Sequence, residues 1–198
     1  MKAIQSAIAS SIFLVILLCT YYVHIKYFKV DVVFYAAIAD GVVAALATGL
    51  IVFFVKIFNS LCKFEKLLLV FMWILIGYAF AISVPTVIDR SLSFYILEKL
   101  QQRGGAIKQD SFEWIFVNEY MVEHRLVDVR LTEQLQSGTI TIDNGCVKLS
   151  SKGQKFANFS RYFRKNWLPK ERLLLGGYSD ALTDPFRQSI QDVDYSCE

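Results

Sequence analysis

"DVVFYAAIADGVVAALATGLIVFFV", residues 31–55, is built almost wholly from apolar and small residues, and past its opening Asp31 it holds one charged side chain, Asp40. A helix of about 20 apolar residues is long enough to cross the hydrocarbon core of a bilayer, so the stretch predicts a membrane span. Two neighbours have the same character: "AIASSIFLVILLCTYYVHI" at 7–25 and "LLLVFMWILIGYAFAISVPTVI" at 67–88. The breaks between them, "KYFK" at 26–29 and "KIFNSLCKFEK" at 56–66, are short and carry lysine. Working outward, the 198-residue chain is 55% hydrophobic with a mean hydropathy of +0.40, too apolar for an ordinary soluble domain, and its apolar residues crowd into the first half. Lys2 ahead of an apolar run resembles the start of a signal peptide. No small-residue cleavage site follows, only "TYYVHIKYFK", and the first span is therefore expected to be an anchor.

Three spans put Lys2, Lys56, Lys63 and Lys66 on one face of the membrane and Lys26, Lys29, Arg90, Lys99 and Arg103 on the other, close to a tie under the positive-inside rule. Cys19 and Cys62 lie in or near the spans. Only Cys146 and Cys197 can meet in the remainder, as free cytoplasmic thiols or as a periplasmic disulfide.

Asp40 sits inside the second span, where an uncompensated charge costs a few kcal/mol. Beside it, Ala37, Gly41, Ala45 and Gly49 recur every four residues, the small-xxx-small pattern that lets helices approach closely. A helix-packing face, within the chain or against a partner, is the favoured role for the stripe and for Asp40. No second charge within the spans completes a relay.

Past residue 88 the pattern changes. "DRSLSFYILEKLQQRGG" (89–105) predicts an amphipathic helix capped by Asp89 or Ser91; "AIK" predicts a short extended stretch; "DSFEWIFVNEYMVEHR" predicts a second helix from Asp110; and "VDVRLTEQLQSG" predicts a third, capped by Asp128. "TITID", "NG" and "CVKLS" form a hairpin with alternating apolar positions, and Ser150 or Ser151 caps a last helix that ends before Pro169. Helix, short strand, helix, helix, hairpin, helix is the order of a winged helix. Residues 89–168 resemble that family, and "LSSKGQKFA" is similar to the Leu-Thr-x-x-Gly segment that follows the wing in many bacterial members. The resemblance implies a mostly cytoplasmic module whose third helix reads DNA, with Arg130, Gln134 and Gln136 as the candidate contacts. That helix also carries Asp128 and Glu133, and the wing tip "IDNGC" has no cation, so nucleic acid is disfavoured as a partner. On the same resemblance, and because a basic domain suits an anionic inner leaflet, the carboxyl-terminal half is expected in the cytoplasm of a bacterial-type cell.

The cations gather further on. Lys148, Lys152, Lys155, Arg161, Arg164, Lys165, Lys170 and Arg172 are opposed only by Glu171, and Phe156, Phe159 and Phe163 fall at i, i+3 and i+7 with Tyr162 and Trp167 at the border. The stripe either covers the domain's own core or lies in a membrane interface against anionic lipid, and the first is the more ordinary role. Residues 169–198 form a short acidic tail, in which Tyr178, Leu182 and Phe186 fall at i, i+4 and i+8 and offer a segment for docking on a partner.

No catalytic constellation, cofactor motif or metal-ligand spacing is present in the sequence, and His24 and His124 read as interface or surface residues. The chain is thus expected to be an α-helical membrane protein: three transmembrane helices, a winged-helix-like α+β domain and an acidic tail. The expected function is that of a non-catalytic accessory or scaffold subunit in envelope or surface-glycan assembly, bound to a larger membrane protein or to copies of itself and touching membrane lipids. The alternatives are a membrane-tethered transcriptional regulator and a small channel or transporter component centred on Asp40.

Overall fold

A computed structural model describes residues 2–188 and 197. The chain is mostly helical and divides into two compact units, Met1–Tyr120 and Met121–Glu198.

In the first unit, α1 (Lys2–Tyr27), α2 (Val33–Phe54) and a third helix running from Lys63 to Arg90 are each long and apolar enough to cross a membrane. The third is α3 (Lys63–Ala81), a π turn at Ile82–Thr86 and α4 (Val87–Arg90) in sequence. Pro85 lies inside the π turn, where its missing N–H breaks the ordinary i→i−4 ladder. α2 packs on both neighbours, and its buried side carries Ala37, Asp40, Gly41, Ala44, Ala45, Thr48, Gly49 and Val52. Small residues occupy this side because the backbones nearly touch: a Cβ on Gly41 would lie 3.0 Å from the Gly77 Cα of α3, and one on Gly77 would lie 2.9 Å from the Gly41 Cα. At the other end α1 is fastened to α3. The Trp73 indole N–H donates to the Ser10 hydroxyl at 3.1 Å, Phe13 stacks on Trp73 with centroids 5.7 Å apart, and Lys2 pairs with Glu65 at 2.8 Å.

After α4, the Ser91 hydroxyl accepts from the Phe94 N–H and caps α5 (Leu92–Gln102), which stops at Gly104 and Gly105, both at positive φ. Residues 106–108 form no strand, unlike the extended stretch expected there. Then α6 (Ser111–Ile115) runs into a π turn at Phe116–Tyr120 without a side-chain cap from Asp110. The two segments are joined by a covered polar pair: the buried Lys99 ammonium lies 2.9 Å from Glu119 and over the Tyr95 ring, and Tyr95 packs on Tyr120 with centroids 4.6 Å apart. The hydrogen bond from Lys99, aided by Arg103 at 3.4 Å, holds the Glu119 carboxyl below its ordinary range.

In the second unit, α7 (Met121–Glu123) is followed by α8 (Leu126–Gln136), entered through Arg125 in the left-handed region. Asp128, the expected cap, pairs with the Arg125 guanidinium at 2.8 Å instead. Strands β1 (Ile140–Asp143) and β2 (Cys146–Leu149) pair antiparallel through Asn144 and Gly145, both at positive φ, as a two-residue type I′ connection requires. The Ser150 hydroxyl then accepts from the Gly153 N–H and starts α9 (Ser151–Trp167). A glycine is needed at 153 because a Cβ there would fall 2.0 Å from the Thr139 carbonyl oxygen, which already accepts from the Ser150 N–H. Within the acidic tail, residues 169–188 carry regular structure. A second hairpin, β3 (Arg172–Leu174) with β4 (Gly177–Ser179), turns at Leu175 and Gly176, and a 3-10 turn at Pro185–Gln188 is fixed by two Arg187–Asp180 hydrogen bonds. Tyr178 is thus on a strand and Phe186 in a turn, so the helical stripe expected there does not form. Cys146 on β2 is disulfide-bonded to Cys197, with Cα atoms 6.0 Å apart.

Candidate functional site

Two places gather chemistry that the packing alone does not use. The first lies between α1 and α2. Asp40, only 4% exposed, accepts at Oδ1 from the His24 Nδ1 of α1 at 2.8 Å, and its Oδ2 has no partner among the described residues. His24 is held in turn by the Phe28 ring at 5.8 Å. Its side chain is 29% exposed and lines a groove of about 510 Å³ with Cys19, Thr20, Val23, Phe28 and Asp40. The sequence left Asp40 without a partner and gave His24 no particular one. The signal that would have joined them is topological: two apolar helices linked by a short connection run antiparallel, and both residues lie within about two turns of that connection.

The second is the surface of α9. Gly153 is the one buried residue of this helix. Phe156 (57% exposed), Phe159 (62%), Phe163 and Trp167 (67%) form a continuous outward stripe, with Phe159–Phe163 and Phe163–Trp167 centroids 5.9 and 6.4 Å apart. The stripe therefore does not cover a core, which was its more ordinary expected role. Lys152 reaches the Ser137 carbonyl, and Lys155, Arg161, Arg164 and Lys165 have no ion-pair partner among the described residues. Lys170 and Arg172 follow at the start of the second hairpin, and α9 itself contains no acidic residue.

The candidate DNA contacts on α8 are committed elsewhere. Arg130 pairs with Glu133 at 2.9 Å, the Gln134 side chain and carbonyl both accept from the Thr139 hydroxyl, and Gln136 alone is exposed without such a bond. At the wing tip Lys148 is neutralised by Asp143 at 3.0 Å.

What these features define as a class is a chain with three helices fit to span a membrane and a small helix-and-hairpin unit beyond them. No protein-family model, curated protein or solved structure matches it.

Proposed function

We propose that the chain is a non-catalytic accessory or scaffold subunit of a membrane complex, anchored by α1, α2 and the Lys63–Arg90 helix and docking through α9 on a larger membrane protein. The observation that carries this reading is the outward stripe of Phe156, Phe159, Phe163 and Trp167 among unpaired cations. Contiguous apolar surface of this kind marks interaction sites, and aromatic rings with arginine are the groups that dominate them. The small residues of α2 are already used within the chain, which leaves α9 as the stronger candidate for a partner. The winged-helix-like reading of residues 89–168 stays part of this proposal, as an interaction platform, although the short strand expected at 106–108 does not form and the two compact units divide after Tyr120.

Cys146–Cys197 bears on the proposed orientation. Disulfides persist in oxidising compartments, so the bond favours the periplasmic side of a bacterial-type inner membrane for this unit, opposite to the cytoplasmic placement expected from the fold resemblance. The near-tie of lysine and arginine across the spans accommodates either direction. A unit on that side has no access to DNA, and α8 is poorly equipped to bind it.

The test is purification of the full chain from gently solubilised membranes. One stoichiometric membrane protein is expected with the native chain and none with the Phe159→Ser, Phe163→Ser double variant. Recovery of the chain alone, or of the same partner with both forms, rejects the docking role. A membrane-impermeant maleimide tag applied to intact cells is expected to reach no thiol before reduction, since Cys19 lies within α1 and Cys62 on the opposite face, and to reach Cys146 and Cys197 after reduction; tagging of Cys62 in intact cells rejects this orientation.

A further inference from the structure

The His24–Asp40 pair is most simply an interhelical clasp, and hydrogen bonds of that kind do hold membrane helices together. A clasp accounts for the bond from Nδ1 to Oδ1 and for little else. A serine and an asparagine would fasten α1 to α2 without placing an ionisable group among apolar residues, and ionisable residues are retained in such places chiefly for function. The pair leaves His24 Nε2 with no protein partner among the described residues, on the wall of the groove bounded by Cys19, Thr20, Val23 and Phe28. Cys19, Val23 and Phe28 are exposed on the outer surface of the helices, which in a membrane is the surface that meets lipid.

The ring chemistry selects the ligand. With Asp40 ionised and the ring neutral, Nδ1 carries the proton and Nε2 accepts. With one further proton on the pair, Nε2–H donates. A hydroxyl group serves in both states, because it donates and accepts. A ligand with a hydroxyl head and a hydrocarbon body matches the groove, its body lying against Cys19, Val23 and Phe28. His24 lies three residues before the end of α1, about 5 Å of helix rise, so the ring sits near one end of the candidate span, where a lipid head rather than the middle of an acyl chain would meet it.

We propose that the α1–α2 groove binds the hydroxyl head of a neutral lipid alcohol, with His24 Nε2 as the contacting atom and Asp40 as the residue that orients the imidazole. This rests on the membrane placement proposed above and is independent of any docking by α9.

The experiment uses the full chain in detergent micelles with 1,2-dioleoylglycerol or its 3-acetyl ester, which has the same body and no hydroxyl, and counts retained lipid by native mass spectrometry. The native chain is expected to retain one dioleoylglycerol with about tenfold preference over the capped lipid, the scale of a single hydrogen bond. Asp40→Asn, whose amide oxygen still accepts from Nδ1–H, is expected to keep part of that preference, and His24→Leu to abolish it. Equal retention of the two lipids by the native chain overturns the proposal without reliance on any variant, as does a hydroxyl preference that survives His24→Leu. A cross-link from Cys19 to another polypeptide in place of lipid retention assigns the groove to a partner helix and overturns it as well. Resistance of the same chain to alkaline extraction from membranes is scored separately: a membrane-integral chain that fails to discriminate the lipids rejects the groove alone, whereas an extractable chain rejects the membrane placement.

Discussion

In α2 the residues that recur every four positions are small, and Ala37, Gly41, Ala45 and Gly49 are all covered; in α9 the recurring residues are aromatic, and Phe156, Phe159, Phe163 and Trp167 are all open. Periodicity alone ranks the two alike, since each paints one stripe on a helix. The difference lies in what faces them. α2 has Gly77 at backbone contact distance, whereas α9 is fixed to its unit mainly at its first turn, through Gly153 and Ser150. A regular stripe therefore tells which side of a helix is meant to be covered, and the rest of the chain determines whether it already is.

The comparison is broken most violently at the points of closest approach. Gly153→Val sets side-chain carbon against the Thr139 carbonyl oxygen, with backbone on both sides and no rotamer to yield. A loss of at least about 3 kcal/mol is expected, enough to detach α9 from the hairpin, read as loss of hydrogen-exchange protection from 139 to 160. Next comes Gly41→Ala, which forces α2 and the Lys63–Arg90 helix apart and is expected to cost about 2 kcal/mol in unfolding from micelles. Gly49→Ala is the control on the same stripe. Its new Cβ meets only a Val70 methyl at 2.9 Å, the end of a side chain that can turn, so a cost under about 1 kcal/mol is expected. Equal losses at 41 and 49 would mean that the stripe acts by general crowding and not by one crossing point.

The three long helices were legible in the sequence because a run of apolar residues carries its own length, and the predicted span 31–55 differs from α2 by only a few terminal residues. The first hairpin was legible for a local reason too: Asn144 and Gly145 are the residues a type I′ turn needs. The second hairpin was not, since "RLLLGGYS" places its turn at Leu175 and Gly176, and leucine at positive φ is the opposite of a turn signal. The Asp128 cap failed because a stronger local partner, Arg125, lay three residues away. His24 and Asp40 needed tertiary knowledge, as each belongs to a different helix. Whether the α9 stripe is covered depends on residues far from it, and no pattern within residues 151–167 contains that information.

A milder perturbation concerns the covered polar pair of the first unit. The hydrogen bond from Lys99 lowers the Glu119 carboxyl from its ordinary value of 4.5, so the folded state favours the ionised form. Its contribution to stability is then fully present above the ordinary value and is lost as the pH falls through the lowered one. Acidification from pH 7 is expected to leave the Tyr95–Tyr120 environment unchanged down to about pH 5 and to loosen it below pH 4.5, followed by near-ultraviolet circular dichroism. In Glu119→Gln that acid step disappears. Persistence of the step at full size would assign it to a different carboxylate.

The smallest effect on stability belongs to the open stripe, and there the comparison is sharpest. Replacing Phe159 and Phe163 by serine removes two rings that cover nothing within the chain, so unfolding is expected to shift by no more than about 0.5 kcal/mol, the range of ordinary surface changes. A stabilised variant is as acceptable as an unchanged one, because apolar surface is withdrawn from water. Partner recovery from membranes is expected to fall sharply all the same. Had the stripe packed against part of this chain, the same two changes would instead each cost about 3 kcal/mol or more, as truncation of buried phenylalanine does. The two measurements on one double variant thus separate a covered helix from an open one: stability lost with binding places α9 in a core, and binding lost alone places it at an interface.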